Sequence, residues 1–284
     1  MSSIGGQAVI EGVMMRNKNK LAIAVRQDKK IIIKKEKLTS LSDKIKLFKL
    51  PFFRGMLALI ETMVVGIKAL NYSANVSIGK EEEKLSSWML VVTLIFAFGI
   101  GFVLFKLLPL AIAQLLSVSL ALKENSILFN LIDAVFKGSL FIGYILIISR
   151  MDDVKRLFQY HGAEHKTIHC YEAKKELTVK NVKKYTPLHA RCGTSFLIFV
   201  IIISIIVYTF LPSVTFWVNL LYRFLLLPVI AGIAYEIIKL SGKYENNKIL
   251  NIAVKPGLWV QKITTSEPDN KMIEVAIKSL KAVI

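Results

Sequence analysis

The sequence predicts an α-helical integral membrane protein of about four transmembrane helices with a small cytoplasmic α+β portion. Hydrophobic residues make up 54% of its 284 residues, above the roughly 45–50% apolar share of soluble domains. They are concentrated in long blocks without charge, whereas the basic residues, which give a net charge of +18, lie mostly between those blocks. So much apolar side chain excludes intrinsic disorder, and two cysteines are too few for a disulfide scaffold.

A β-meander is predicted at the N-terminus, in residues 1–50, as the first part of the cytoplasmic portion. Runs rich in β-branched and other apolar residues are separated there by short polar turns, the pattern of successive antiparallel strands. The predicted strands are residues 7–16, 21–26 and 31–37.

An amphipathic helix is predicted next, in residues 51–80. Arg54, Glu61 and Lys68 are spaced by seven residues, which is about two helical turns, so their charges form one stripe on an otherwise apolar rod. We expect this helix to lie on the membrane surface or against the transmembrane helices.

Two pairs of transmembrane helices are predicted, in residues 85–149 and 194–238. A helix of about 20 apolar residues is long enough to cross the hydrocarbon core of a bilayer. Residues 85–105 and 192–222 carry no charge. The second of these blocks contains Pro212, where we expect a turn between a helix ending near residue 211 and a return helix over residues 216–238.

Charged residues inside the predicted spans need partners. Asp133 and Lys137 lie four residues apart in the span predicted for residues 126–149, so they can pair on one helical face. Arg223 and Glu236 lie too far apart on the last span to pair directly, and we expect each to reach toward its nearer interface. The alternative for Glu236 is that it faces the histidine cluster at the cytoplasmic end of that span. Residues 110–122 are apolar but short: a continuation of the first span, an interfacial helix and a re-entrant piece all remain open.

The basic residues predict the orientation of the spans. Residues 1–85, 150–191 and 239–284 hold 16, 10 and 8 Lys and Arg residues, which is 34 of the 38 in the chain. Four spans place these three segments on one side, and the positive-inside rule makes that side cytoplasmic. We therefore expect a multi-pass protein of the cell membrane with both termini cytoplasmic. Its predicted partner is the lipid bilayer, with other membrane proteins or a second copy left open, and not nucleic acid, because the charge is spread over three segments without a binding motif.

The chemistry-bearing residues are concentrated in the cytoplasmic segment 150–193. All four histidines and both cysteines fall between His161 and Cys192. In a helix, His161 and His165 stand about 40° apart on successive turns, the spacing at which two imidazoles bind one metal ion. Glu172 shares that face, so the third ligand is predicted to be Glu172, or His189 or Cys192 from the stretch before the third span.

The spacing His161-x-x-Glu164-His165 also fits the H-x-x-E-H pattern of inverted zinc peptidases. In that pattern the glutamate, here Glu164, is the general base. The ligand types favour a divalent metal, with zinc foremost. A solvated helix face without a metal, and metal-free acid–base chemistry or partner binding, remain open alternatives.

The C-terminal segment 239–284 is predicted to be a cytoplasmic tail. Asp269 is placed to cap a helix over residues 271–283, whose apolar positions follow helical spacing. We expect this helix to pack against the other cytoplasmic elements.

Four stretches of the chain match the signatures of one known family: residues 4–16, 160–172, 191–196 and 256–268. They resemble the YqhQ-like family, bacterial membrane proteins of unknown function that are labelled predicted metal-dependent enzymes. Residue 190 is an alanine where the family pattern has a proline, which affects the local turn but not the ligands. The resemblance draws attention to Glu11, which is flanked by glycines and is expected to reach the histidines from the strands, with Arg16 as its counter-charge.

Two functions of different class follow from these observations. The first is a metal-dependent hydrolase that acts on a membrane-associated substrate, with Glu164 or Glu11 as the catalytic base. The second is a non-enzymatic accessory or scaffold protein of membrane or envelope assembly, with a structural metal or none. The number of ligands separates them, because a catalytic zinc keeps an open position whereas a structural zinc has four protein ligands. A small transporter is a weaker third reading, since the spans contain little polar pathway.

Overall fold

The computed structural model describes residues 4–38, 53–79, 87–212, 214–244 and 247–284. The predicted start of the first span at residue 85 and the side chain of Arg54 lie outside the described part of the chain. The described residues form an N-terminal antiparallel sheet, long apolar helices, and helices that pack on the sheet.

The N-terminal sheet has four strands rather than the three predicted, in the order β1-β2-β3-β4. The predicted first strand, residues 7–16, is itself a hairpin, because Ile10 and Glu11 form a two-residue turn in which Glu11 has a φ of +50°. Neither residue is a typical turn former, so the sequence pattern conceals the reversal. The strands are β1 (Ile4–Val9), β2 (Gly12–Asn17), β3 (Lys20–Gln27) and β4 (Lys30–Lys37).

Both faces of this sheet are covered by helices. Helix α1 (Phe53–Ser77) packs on one face, where Val9, Met14, Leu21, Ile23 and Val25 form a core with its Ala69, Tyr72 and Val76. Helices α5 (Asp152–Glu172) and α11 (Asn270–Lys281) cover the other face. Successive residues of a strand point to opposite faces, which explains why β3 is apolar at five consecutive positions. The second core includes Ile4, Val13, Met15, Ala22, Ala24, Tyr160, Ala163, Ile168, Met272, Ala276 and Leu280.

The apolar helices include three that are long and apolar enough to cross a membrane: Val91–Ser119, Ile127–Ile148 and Phe216–Ser241. The first runs without a break through α2 (Ser87–Phe102), a π-helical turn (Val103–Leu107) and α3 (Leu108–Ser119). The short apolar stretch 110–122 is therefore mostly a continuation of the first span. A fourth apolar helix, α7 (Gly193–Thr209), has 17 residues, slightly fewer than the roughly 20 that cross a bilayer untilted.

The remaining helices complete the chain. The predicted return helix is divided at Leu226 into two, and helix α10 (Lys248–Thr264), which contains Pro256, was not predicted. The side chain of Asp269 caps α11 by accepting a hydrogen bond from the Met272 amide at 2.8 Å, as predicted. The bounds are α4 Ile127–Ile148, α6 Val179–Val182, α8 Phe216–Leu225, α9 Leu227–Lys243 and α10 Lys248–Thr264.

A buried charge network joins the apolar helices. Lys137 donates to Asp133 at 3.0 Å, which confirms the predicted pair, and Arg223 donates to the same carboxylate oxygen at 2.8 Å. Arg223 is only 2% exposed, so the expectation that it reaches toward an interface is wrong. Buried arginine needs its donors satisfied, and the side-chain oxygens of Asn125, Asn130 and Asn219 accept the others.

Candidate metal centre

Helix α5 carries three of the four histidines and is positioned by its contacts with β1 and α11. Asp152 and Asp153 lie in its first turn, where negative charge stabilises a helix. His161 and His165 stand on successive turns, and their ring centroids are 4.3 Å apart. The predicted helical face with two converging imidazoles is therefore present.

Cys192 completes a group of three ligand atoms with these histidines. It is the N-cap residue of α7, and the chain between α5 and α7 folds back to place its Sγ 3.2 Å from His161 Nε2. One ligand atom from each of His161, His165 and Cys192 lies within 4.8 Å of the others. This spacing suits a single metal ion bound by two imidazoles and one thiolate.

Backbone carbonyl groups determine which nitrogen of each imidazole is available. His161 donates from Nδ1 to the Thr264 carbonyl at 2.8 Å, and His165 donates from Nδ1 to the Pro187 carbonyl at 2.6 Å. Because a carbonyl only accepts, Nδ1 must carry hydrogen in both rings, which leaves the Nε2 lone pair of each neutral ring free. Metal-binding histidines are typically oriented by such a hydrogen bond from the second nitrogen.

The Thr264 carbonyl reaches His161 because the segment after α10 lies directly against α5. The Ser266 amide donates to the Phe158 carbonyl at 3.0 Å. A Cβ atom at Gly162 would lie 2.1 Å from the Ser266 carbonyl oxygen, so the close approach requires glycine at this position.

Gln261 holds the stretch that precedes Cys192. Its buried side chain accepts from the His189 amide and donates to the His189 carbonyl, both at 2.8 Å, and it also donates to Ser195 Oγ at 3.1 Å. The two hydrogen bonds to one residue fix the backbone on the N-terminal side of α7. Gln261 is therefore a positioning residue that the sequence pattern did not reveal.

The buried side chain of Glu164 lies beside the group of three ligands. This side chain is 4% exposed, and among the described residues Oε2 has no hydrogen-bond partner. A Cβ atom at Gly6 would lie 2.7 Å from Glu164 Oε1, so the glycine of β1 makes room for the carboxyl group. Burial raises the pKa of Glu164 to about 8, because an ionised carboxylate is poorly solvated there. A buried, unpaired acceptor indicates a group that still has to bind.

Burial and hydrogen bonding also alter the ligand groups. Burial lowers the pKa of His165, which favours the neutral ring that a metal requires. Burial opposes ionisation of Cys192, but its hydrogen bonds with His165 and Thr194 outweigh burial and lower the pKa of the thiol. Cys170, in contrast, is buried in the core, and burial raises its pKa.

Two of the predicted ligands belong to a separate group. His189 and Glu172 lie with His169, again with one ligand atom each within 4.8 Å. The Arg191 guanidinium hydrogen-bonds the Glu172 carboxylate and approaches His189 Nε2 at 3.4 Å, while the Arg191 amide donates to His189 Nδ1. A cationic side chain thus already occupies this second group, so it is the weaker place for a metal ion.

Glu11 lies apart from both groups. It sits at the β1–β2 turn, where its carboxylate forms two hydrogen bonds of 2.5 Å with the guanidinium of Arg156. The Tyr160 hydroxyl also donates to Glu11, at 3.3 Å. Its counter-charge is therefore Arg156, not Arg16, whose guanidinium lies 3.8 Å from Glu61. This pairing gives Glu11 a structural role in joining the sheet to α5.

A cavity of about 560 Å³ opens onto the group of three ligands. That volume is typical of sites for small or extended ligands. Its lining comes from β1, α1, α5 and the start of α7, so apolar side chains and the polar cluster face the same space. The lining includes residues 4–8 together with His161, Glu164, His165, His189, Arg191, Cys192 and Thr194.

Comparison with known proteins identifies relatives without an assigned activity. A family model described as a protein of unknown function (DUF1385) matches residues 50–284. The uncharacterized protein YqhQ of Bacillus subtilis (strain 168) is 36% identical over 294 aligned residues, which cover 99% of this chain and 92% of that protein. No solved structure matches the chain. The resemblance to the YqhQ-like family is confirmed, and the chemistry has to be argued from the site.

Proposed function

Because the chain belongs to this DUF1385 family of unknown function, we propose from its site that it is a membrane-bound, metal-dependent hydrolase. The observation that carries the proposal is that His161, His165 and Cys192 each offer a ligand atom within 4.8 Å of the others, while backbone carbonyls hold both histidines from Nδ1. The unpaired carboxylate of Glu164 beside them supports a reaction rather than a closed structural site.

The number of ligands favours catalysis over a structural role. Structural zinc sites have four protein ligands, whereas catalytic sites have three and an open position. Among the residues that the structure describes, His161, His165 and Cys192 supply three, and zinc is the best match to two imidazoles and a thiolate. When bound, such an ion would act as a Lewis acid toward water and toward the bond under attack.

Glu164 is the residue we assign to proton transfer. A cation bound beside it would favour the ionised form of Glu164, whose Oε2 would then accept a proton from the attacking water and return it to the leaving group. Gly6 and the surrounding core keep the carboxyl group away from solvent water, which strengthens its interaction with the reacting groups. The Thr264 and Pro187 carbonyls orient His161 and His165 and take no part in the reaction.

Measurement of bound metal tests the proposal directly. Purified full-length protein should hold about one zinc ion per chain, and His165→Ala and Cys192→Ser should each lose most of it, as measured by elemental mass spectrometry. His169→Ala is the matched control: it removes a histidine of the same helix that belongs to the second group, so zinc content should be unchanged.

Two results would contradict this assignment. Loss of zinc in His169→Ala and not in Cys192→Ser would move the site to His169, Glu172 and His189. Wild-type protein without zinc, manganese or iron after purification in metal-supplemented medium would favour the accessory or scaffold function.

We propose that the site faces the cytoplasm of a four-span protein. The distribution of 34 basic residues among three segments supports this orientation, and α4 and α7, which flank the site segment, are both apolar helices. Reporter fusions after Leu122 and Pro212 should be active outside, and fusions after Lys180 and at the C-terminus inside. An outside signal from the fusion after Lys180 would show that the proposed orientation of the site segment is wrong.

A further inference from the structure

We propose that the free edge of β1 binds an extended polypeptide segment as an additional strand and thereby presents it to the candidate metal centre. The inference rests on the proposed function and deepens it, because it names the substrate class as a polypeptide. Its basis is the position of β1, which is one of the two edge strands of the sheet that the described residues form and which also lines the cavity that contains His161, Glu164 and Cys192.

The register of the sheet shows which backbone groups of β1 point away from it. Val9 and Gly12 flank a two-residue turn and are paired, so they exchange both of their hydrogen bonds. Hydrogen-bonded and non-hydrogen-bonded pairs alternate along an antiparallel ladder. Gly6 and Ala8 therefore belong to non-hydrogen-bonded pairs, and their N–H and C=O groups point toward the free edge.

Within the described part of the chain, these outward groups of Gly6 and Ala8 have no backbone or side-chain partner. Gly5 and Gly6 are both exposed, so a second chain can approach the backbone without meeting side chains. Sheet edges are normally protected by charges, proline or a covering element. An edge strand with two glycines instead has the form of a binding surface.

The free edge and the reactive groups share one space. Gly6 lies directly against the Glu164 carboxyl group, and residues 4–8 line the cavity together with His165 and Cys192. Strand residues advance about 3.3 Å each, so the outward groups of Gly6 and Ala8 are about 7 Å apart. A segment that pairs with both would pass beside Glu164.

Polypeptide fits this arrangement better than lipid. A peptide in extended conformation offers alternating donors and acceptors at the spacing of the strand, whereas an acyl chain would leave the outward N–H and C=O groups of β1 unpaired at a cost in free energy. The apolar lining residues Ile4, Leu157 and Phe158 can then accept alternate side chains of the bound segment.

The test compares three hydroxamates on the zinc-loaded, full-length protein by calorimetry. Acetohydroxamic acid reports binding to the metal alone, N-acetyl-leucyl-glycyl-leucine hydroxamate adds a peptide backbone, and dodecanoyl hydroxamate adds an acyl chain. We expect the tripeptide to bind at least about tenfold more tightly than acetohydroxamic acid, from two or more backbone hydrogen bonds. Methylation of the backbone nitrogens of the tripeptide hydroxamate should abolish that gain in affinity.

Ala8→Pro tests the protein side of the same contact. Proline removes the outward N–H without removing a hydrogen bond of the sheet, a substitution that edge strands tolerate. The substitution should weaken binding of the tripeptide hydroxamate about fivefold and leave the affinity for acetohydroxamic acid unchanged. Lys35→Pro is the matched control, because the same register argument places its N–H on the opposite edge, at β4.

The outcomes separate the two proposals. If zinc is bound and acetohydroxamic acid binds, but the tripeptide and its methylated form bind equally, the peptide inference is wrong and the metal site stands. If dodecanoyl hydroxamate exceeds the affinity of acetohydroxamic acid by more than the tripeptide does, and Ala8→Pro has no effect on tripeptide binding, the substrate is a lipid. If the protein holds no metal, the proposed function fails. Should Ala8→Pro not fold, the comparison of methylated and unmethylated peptide on wild type decides.

Discussion

Asp133→Leu is expected to lower the free energy of unfolding by about 3–5 kcal/mol, the usual cost of removing one partner from a buried ion pair. Asp133 is 2% exposed and accepts from both Lys137 and Arg223. Without its carboxylate, Lys137 would lose the acceptor that it has among the described residues, and Arg223 would keep only asparagine side-chain oxygens. The measurement is reversible unfolding in detergent micelles, followed by helical circular dichroism.

The triple variant Asp133→Leu, Lys137→Met, Arg223→Met should recover part of that loss, since apolar residues replace the buried ions. The recovery is incomplete, because the side-chain oxygens of Asn125, Asn130 and Asn219 lose the donor that Arg223 provides. Asp153→Leu serves as the surface control: Asp153 is exposed in the first turn of α5, so its loss should cost less than about 1 kcal/mol. Equal destabilisation by Asp133→Leu and Asp153→Leu would show that the charge network contributes no special stability.

The apolar helices could be predicted from the sequence because uncharged blocks of the right length have few alternative structures. The reversal at Ile10 and Glu11 could not, since its only local signal is Gly12, and that glycine is required by contact with another strand: a Cβ there would lie 2.3 Å from the Ala24 carbonyl oxygen. The burial of Arg223 was also hidden, because its partners Asn125 and Asp133 come from a different helix and the loop before it.

The candidate site likewise has some features that the sequence predicts and others that it does not. The spacing of His161 and His165 is a local property of one helix, and the sequence shows it directly. The placement of Cys192 beside His161 and His165, with Glu172 and His189 in a separate group, depends on how residues 173–192 fold back on α5, which no periodicity describes. The Thr264 and Pro187 carbonyls carry no side-chain signal at all, and Gln261 is one of several polar residues in its helix.

Glu164→Gln is expected to keep zinc bound while it lowers the rate of hydrolysis by about 10²–10⁴-fold, the range that general acid–base catalysis supplies. Glutamine has nearly the same size, so it fits beside Gly6, but its amide cannot take a proton from water. His161, His165 and Cys192 are untouched, so zinc content should equal that of wild type. The rate is measured on a mixture of internally quenched peptides, with zinc content determined on the same samples.

Glu11→Gln is the control for Glu164→Gln, because Glu11 pairs with Arg156 at the edge of the sheet and does not line the cavity. It should change the rate less than about threefold, since a surface substitution of this kind seldom alters structure. Loss of zinc in Glu164→Gln would make Glu164 a ligand rather than a base. A full rate in Glu164→Gln together with a reduced rate in Glu11→Gln would transfer the proton-transfer role to Glu11, through a movement of the β1–β2 turn toward the cavity.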